Sequence, residues 1–194
     1  MQGATLTARN LACRKGDRLL FRGIDVVLSP GEALHVTGPN GSGKTSLIRI
    51  LAGLARPFEG TCEADGAVGL IDERLALDED RPLGKALGFW QRLDGCGDPS
   101  GAFAVLGLDP LLDVPVRYLS TGQRKRAALA ALLNRGVPIW LLDEPLNGLD
   151  DEARAKVESL VALHCGGGGI CVVASHQPLS LPGAKSLAIA DFAP

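Results

Sequence analysis

The sequence predicts an α/β fold, and three observations carry that expectation. Short apolar runs at residues 33–37, 67–71, 139–143 and 170–174 read as buried strands. Segments with helical spacing of apolar residues lie between them, at residues 46–54, 83–112, 123–133 and 152–164. The opening residues 4–28 differ: Leu, Phe, Ile and Val are mixed with polar residues, as in half-buried antiparallel strands. The expected architecture is thus an α/β core with a small antiparallel β subdomain at its start and a helical subdomain set into it at about residues 74–135. At 194 residues the whole chain, 1–194, suits one domain, and its 46% hydrophobic content makes it globular and not disordered.

Taken in order, residues 4–28 form strands joined by a turn around Arg14-Lys15-Gly16-Asp17, and Ser29-Pro30-Gly31-Glu32 turns the chain into the strand at 33–37. The next stretch is Gly38-Pro39-Asn40-Gly41-Ser42-Gly43-Lys44-Thr45, which fills every fixed position of G-x-x-x-x-G-K-[ST]. A buried strand precedes it and a helix, beginning at Ser46, follows, so it is framed as a phosphate-binding loop and not as an ordinary glycine-rich turn. Glycines let backbone N–H groups wrap a phosphate, and the helix presents its positive end to the same anion. Lys44 is expected to reach the β/γ-phosphates of the nucleotide and Thr45 to offer its hydroxyl to Mg²⁺. Proline and glycine at residues 56–60 end that helix. The strand at 67–71 then runs into Asp72-Glu73-Arg74, and residues 83–112 read as two or three helices broken by Gly95, Gly97, Pro99 and Gly101.

Further along, Leu119-Ser120-Thr121-Gly122-Gln123 opens a helix with Ser120 as its cap. A serine, a glycine and a helix amino end make a second anion site. The apolar strand Ile139-Trp140-Leu141-Leu142 ends in Asp143-Glu144, the Walker B arrangement. Asp143 is placed to hold Mg²⁺, and Glu144, pointing elsewhere on an extended chain, to polarise an attacking water. Pro145-Leu146-Asn147-Gly148-Leu149-Asp150 follows, then a helix, the run Gly166 to Gly169 (a flexible surface loop on the plainest reading), the strand 170–174, Ser175 and His176.

Composition narrows the function classes. A net charge of −2 gives no electrostatic reason to expect nucleic acid as a partner. No apolar run is long enough to span a bilayer, and Met1-Gln2-Gly3-Ala4-Thr5 lacks the features of a signal peptide. The protein is therefore expected on the cytoplasmic side, with membrane association through a partner. The five cysteines (Cys13, Cys62, Cys96, Cys165, Cys171) are odd in number, scattered, and without a C-x-x-C pair, so reduced thiols are expected and not disulfides or a metal cluster.

The order of phosphate loop, LSTGQ, Walker B, the D-loop at 145–150 and a histidine after the last core strand closely resembles the ABC (ATP-binding cassette) ATPases. The resemblance covers about residues 5–180 and implies a P-loop NTPase core. It implies a homodimer stacked head to tail, with each ATP between the phosphate loop of one copy and the signature of the other. Residues Gly38 to Ser46 would bind the nucleotide. Ser120 and Gly122, with Gln123, would contact the ATP held by the opposite subunit, and Asp150 would communicate across the interface. Glu144, His176 and Lys44 would act on the attacking water and the γ-phosphate, with Mg²⁺ on Thr45 and Asp143. More narrowly, Asn10-Leu11-Ala12-Cys13-Arg14 with Leu20-Phe21, residues 38–60 and 140–150, Phe89-Trp90 and Ser175-His176-Gln177-Pro178-Leu179 look like the ATPase subunits of haem exporters used in c-type cytochrome biogenesis. That likeness implies an integral-membrane permease as partner, a peripheral position on the cytoplasmic face of the inner membrane, and haem export or release of a haem-loaded chaperone as the work performed. The readings set against it are an ATPase of another small-molecule exporter and a soluble ATP-gated clamp.

This chain departs from the ABC pattern in three places. Asp72 or Glu73 stands where the Q-loop glutamine is expected. No aromatic residue stands near Arg14-Lys15, where the family stacks adenine, and Arg14 is the candidate substitute. Thr121 replaces the first signature glycine.

Overall fold

A computed structural model describes residues 3–72, 77–94, 100–181 and 183–194. Glu73, a candidate for the Q-loop position, and Cys96 lie outside the described residues. The first sheet is antiparallel: β1 (Thr5–Lys15) and β2 (Arg18–Leu28) form a hairpin, and β4 (Glu59–Asp65) adds to the other edge of β1, giving the order β2-β1-β4. The hairpin turn falls at Gly16-Asp17, as expected. The strand β4 is not among the elements predicted, because Glu59, Gly60, Thr61, Glu63 and Asp65 lack an apolar face of their own. Its register comes from β1, with Thr5 opposite Asp65 and Ala8 opposite Cys62.

The second sheet is parallel, with the order β5-β6-β7-β3-β8 for β3 (Ala33–Thr37), β5 (Val68–Ile71), β6 (Ile139–Asp143), β7 (Ile170–Ala174) and β8 (Lys185–Ala188). The four predicted strands match to within a residue. The edge strand β8 is new, being mostly exposed; only Leu187 is buried in it. Both faces of the sheet are covered, so its inner strands read as continuous apolar runs. Their side chains still alternate between two cores. Ile139, Leu141, Ile170, Val172 and Ala174 pack with Leu6, Phe21, Ile24 and helix α1 (Lys44–Leu51) under the antiparallel sheet. Trp140, Leu142, Cys171 and Val173 pack on the opposite side with Leu83, Leu87, Leu106 and Leu129.

That second core draws on α2 (Leu83–Asp94), α3 (Ser100–Val105), α4 (Thr121–Arg135) and α5 (Asp151–Gly166). The predicted helix after the phosphate loop starts at Lys44 and not Ser46. The run at 166–169 is more ordered than a flexible link. The helix α5 extends into Gly166, Gly31 N–H donates to Gly169 O at 3.0 Å, and Gly169 N–H donates to His164 O at 2.9 Å. A side chain at Gly169 would collide with the His164 ring. That ring lies stacked on Trp140, 3.9 Å between centroids, which is why the glycine is needed. Among the described residues Cys13, Cys62, Cys165 and Cys171 are free thiols, and no helix is long and apolar enough to cross a membrane.

Candidate nucleotide site

The carboxyl ends of β3, β6 and β7 carry the candidate site, at one edge of the parallel sheet. From β3 the chain passes through residues 38–43 into α1. Gly43, with φ 110°, occupies the cap position of that helix, and an added Cβ would come within 3.1 Å of Phe21. A glycine is required there by both conformation and space. No side chain caps α1 and no acid stands in its first turn, so its positive end is left open to an anion. The Ser42 hydroxyl is buried without a hydrogen-bond partner among the described residues, as suits a group that meets a phosphate oxygen.

Lys44, only 6% exposed, turns its amine back along the loop. It donates to Gly38 O at 2.8 Å and to Pro39 O at 3.2 Å, and it lies 3.3 Å from a Glu144 oxygen. The other Glu144 oxygen sits 3.0 Å from His176 Nδ1, and the histidine side chain keeps 41% of its surface exposed. Lys44, Glu144 and His176, distant in sequence, therefore meet on one carboxylate. Asp143 closes β6 at 1% exposure. Glu144 does not continue the strand as expected: its φ is 48°, so the chain turns there while its N–H donates to Ala174 O at 2.8 Å. The turn, and not strand alternation, sends its carboxylate toward Lys44.

The signature lies elsewhere. Ser120 Oγ accepts from Gln123 N at 3.2 Å, and Gln123 Oε1 accepts from Ser120 N at 2.8 Å, a full capping box on α4. The Ser120 O–H and the Gln123 amide protons are not used in that box and can still donate. Gly122 packs directly on the D-loop, where an added Cβ would stand 2.5 Å from Gly148 O. Asp150 caps α5 by accepting from Ala153 N at 2.8 Å. Ser120, Gly122, Gln123, Gly148 and Asp150 line a shared groove of about 230 Å³ that no phosphate-loop residue lines. The structure thus brings together Gly38 to Ser46 with Glu144 and His176, and places the signature and Asp150 on a separate groove.

Several residues without a sequence signal complete the arrangement. Arg124 donates to Leu119 O at 3.2 Å and Arg117 O at 3.0 Å and pairs with Glu79, pinning the approach to the signature. Lys125, buried inside α4, donates to Asp143 O at 3.3 Å and so links the signature helix to Walker B. In the D-loop region Arg154 Nη2 donates to Gln177 Oε1 at 2.6 Å and Gln177 Nε2 to Asn147 Oδ1 at 3.3 Å. Asp72 pairs with Arg49 of α1 at 3.5 Å. An aromatic ring does stand at Arg14 after all: the guanidinium lies over Phe58, 4.5 Å from the ring centroid. The pairing crosses from β1 to the segment before β4, which is why neighbouring residues in the sequence did not reveal it. The thiol of Cys13, beside it, is pushed up by burial, opposed by a hydrogen bond with Ser46 of α1. The β1–β2 hairpin also borders the phosphate loop, since an added Cβ at Gly43 would stand 3.1 Å from Phe21 and 3.3 Å from Leu20.

Comparison with known proteins agrees with this geometry. The family model of ABC transporters matches residues 21–147. The chain is 57% identical over 194 residues to the cytochrome c biogenesis ATP-binding export protein CcmA of Novosphingobium aromaticivorans, covering 100% of both. It is 47% identical to CcmA of Zymomonas mobilis (97% of this chain, 86% of that one) and 40% identical to CcmA of Rhodospirillum rubrum (98% and 88%). Among solved structures, an ABC transporter ATP-binding protein from Pyrococcus furiosus superposes with a TM-score of 0.83 at 21% identity, covering 98% of this chain and 100% of that one, which speaks for the fold. The chain therefore belongs to the ABC transporter ATPases, in the CcmA group of cytochrome c biogenesis ATP-binding export proteins, and it binds ATP and couples its hydrolysis to transport.

Proposed function

We propose that this chain is one half of a homodimeric motor that hydrolyses ATP with Mg²⁺ to drive a haem-handling permease from the cytoplasmic face of the inner membrane. The observation that carries the chemistry is the Glu144 carboxylate lying between Lys44 at 3.3 Å and His176 at 3.0 Å. An ammonium has three protons, and two of those on Lys44 go to the loop carbonyls of Gly38 and Pro39. The contact with Glu144 Oε1 is an ion pair without a hydrogen bond among the described residues, and an incoming γ-phosphate competes with that carboxylate for the ammonium. Once displaced from Lys44, the carboxylate accepts a proton from an attacking water, and His176 orients the carboxylate and the phosphate. The Thr45 hydroxyl and Asp143 carboxylate form a hard oxygen donor set of the kind Mg²⁺ takes, and these are the residues that would hold it. When bound, the ion neutralises charge on the phosphate oxygens.

The separate groove at Ser120, Gly122 and Asp150 supports the two-copy arrangement, because one chain offers the two half-sites on different surfaces. The reading also takes 1–194 as one domain, with the region from Asp72 to Leu112 as the surface that meets the permease. Haem as the transported group rests on the likeness to the CcmA relatives, which are export proteins of cytochrome c biogenesis. The test is capture. The Glu144→Gln variant, loaded with ATP, is used to recover partners from detergent-solubilised membranes, and the permease recovered is assayed for haem. A haem-containing membrane complex is expected. A permease without haem would remove haem from the proposal, and recovery of soluble proteins alone would remove the membrane partner.

A further inference from the structure

We propose that Gln177, clamped by Arg154, is a positioning residue that holds Glu144 and His176 in register; this rests on the roles given to those two above. Gln177 directly follows His176, and its backbone N–H donates to Ser175 Oγ at 2.9 Å. Its side chain bridges two other elements. Arg154, in the first turns of α5, donates to Oε1 at 2.6 Å, and Nε2 donates to Asn147 Oδ1 at 3.3 Å. Asn147 N–H in turn donates to Glu144 O at 3.4 Å. With the Glu144–His176 bond this closes a ring: carboxylate to imidazole, along the chain to Gln177, across to Asn147, and back to the Glu144 backbone.

Two features make the ring more than loop packing. Glu144 has φ 48°, a conformation that disfavours any residue with a side chain, so its carboxylate stays aimed only if the surroundings enforce the turn. The Gln177–Asn147 bond acts on that turn from the far side. The guanidinium also decides which way the Gln177 amide faces. Arg154 is donor only, so it selects Oε1 and leaves Nε2 to donate to Asn147. Arg154 Nε is itself buried with no hydrogen-bond partner among the described residues. Among the described residues the directional contact of this guanidinium is thus its Nη2 bond to Gln177.

The experiment measures ATP turnover and ATP affinity of the full chain for Gln177→Met, Gln177→Glu and Glu144→Gln. Met keeps the side-chain length but has no bond to offer Arg154 or Asn147. Glu accepts from Arg154, and from Asn147 once that amide turns over. Gln177→Met is expected to lower kcat about 10²-fold, the scale of a misplacement of about 1 Å, while KM for ATP stays within about twofold. Gln177→Glu is expected to recover most of that loss. Wild-type kcat in Gln177→Met would overturn the proposal. So would an equal loss in both Gln177 variants, or a loss of ATP affinity matching the loss of kcat, because either would mark a purely structural role. The outcome for Glu144→Gln separates the levels: retained turnover there removes the underlying reading, whereas lost turnover with an indifferent Gln177→Met removes the positioning role alone.

Discussion

At Glu144 the backbone leaves its strand through a left-handed turn, and the side chain lands between a cation and an imidazole. Replacing the carboxylate by an amide keeps the shape and removes the proposed base. Glu144→Gln should therefore bind ATP normally and hydrolyse it about 10² to 10⁴ times more slowly, as a phosphate-release assay beside a binding titration would report. Lys44→Ala should act differently, weakening ATP binding itself because the loop loses its only ammonium; unchanged affinity would contradict the loop's role. Two other histidines, which take no part in the proposed chemistry though the Glu144 carboxylate acts on His35, make a pH prediction. Burial lowers the pKa of His35, opposed by a bond to the Ser175 backbone, and burial likewise lowers that of His164. Both are neutral in the folded protein where the unfolded chain would already be protonated. Stability is thus fully present above the unfolded value of about 6.5 and falls as the pH drops below it toward the folded values. Urea midpoints at pH 7.5 and 5.5 should differ accordingly, and the difference should shrink in His164→Gln.

The signature and the D-loop behave as one element. Because an added Cβ at Gly122 would stand 2.5 Å from Gly148 O, Gly122→Ala must push the two segments apart. Overpacking of this kind costs about 1–3 kcal/mol, which lowers Tm by roughly 2–4 °C for each kcal/mol in a chain of this size. An unchanged Tm would show that the contact yields freely. Legibility in the sequence followed the physics of each element. The phosphate loop, the Ser120 cap and the core strands were readable because their determinants are local: glycines, a serine at the start of a helix, apolar runs. The strand β4 was not, since its pairing is dictated by β1 across the sheet. Arg14 over Phe58 and Arg154 on Gln177 were hidden for the same reason, each joining segments that meet only in three dimensions. Glu144 was expected in the right place and the wrong conformation, because alternation along a strand fails at the residue where the strand stops.

On the scale of the molecule, two apolar cores sandwich one parallel sheet and leave its carboxyl edge as a rigid rim. That rim holds Lys44, Glu144 and His176 together, while α4 and the D-loop line a separate groove. On the proposed reading, a second copy of the chain brings its groove to the ATP held at this rim. Sedimentation velocity of the Glu144→Gln variant, with and without ATP and Mg²⁺, tests this most directly. A monomer that becomes a dimer only with ATP is the predicted result; a species that binds ATP fully and remains a monomer at every concentration would contradict it.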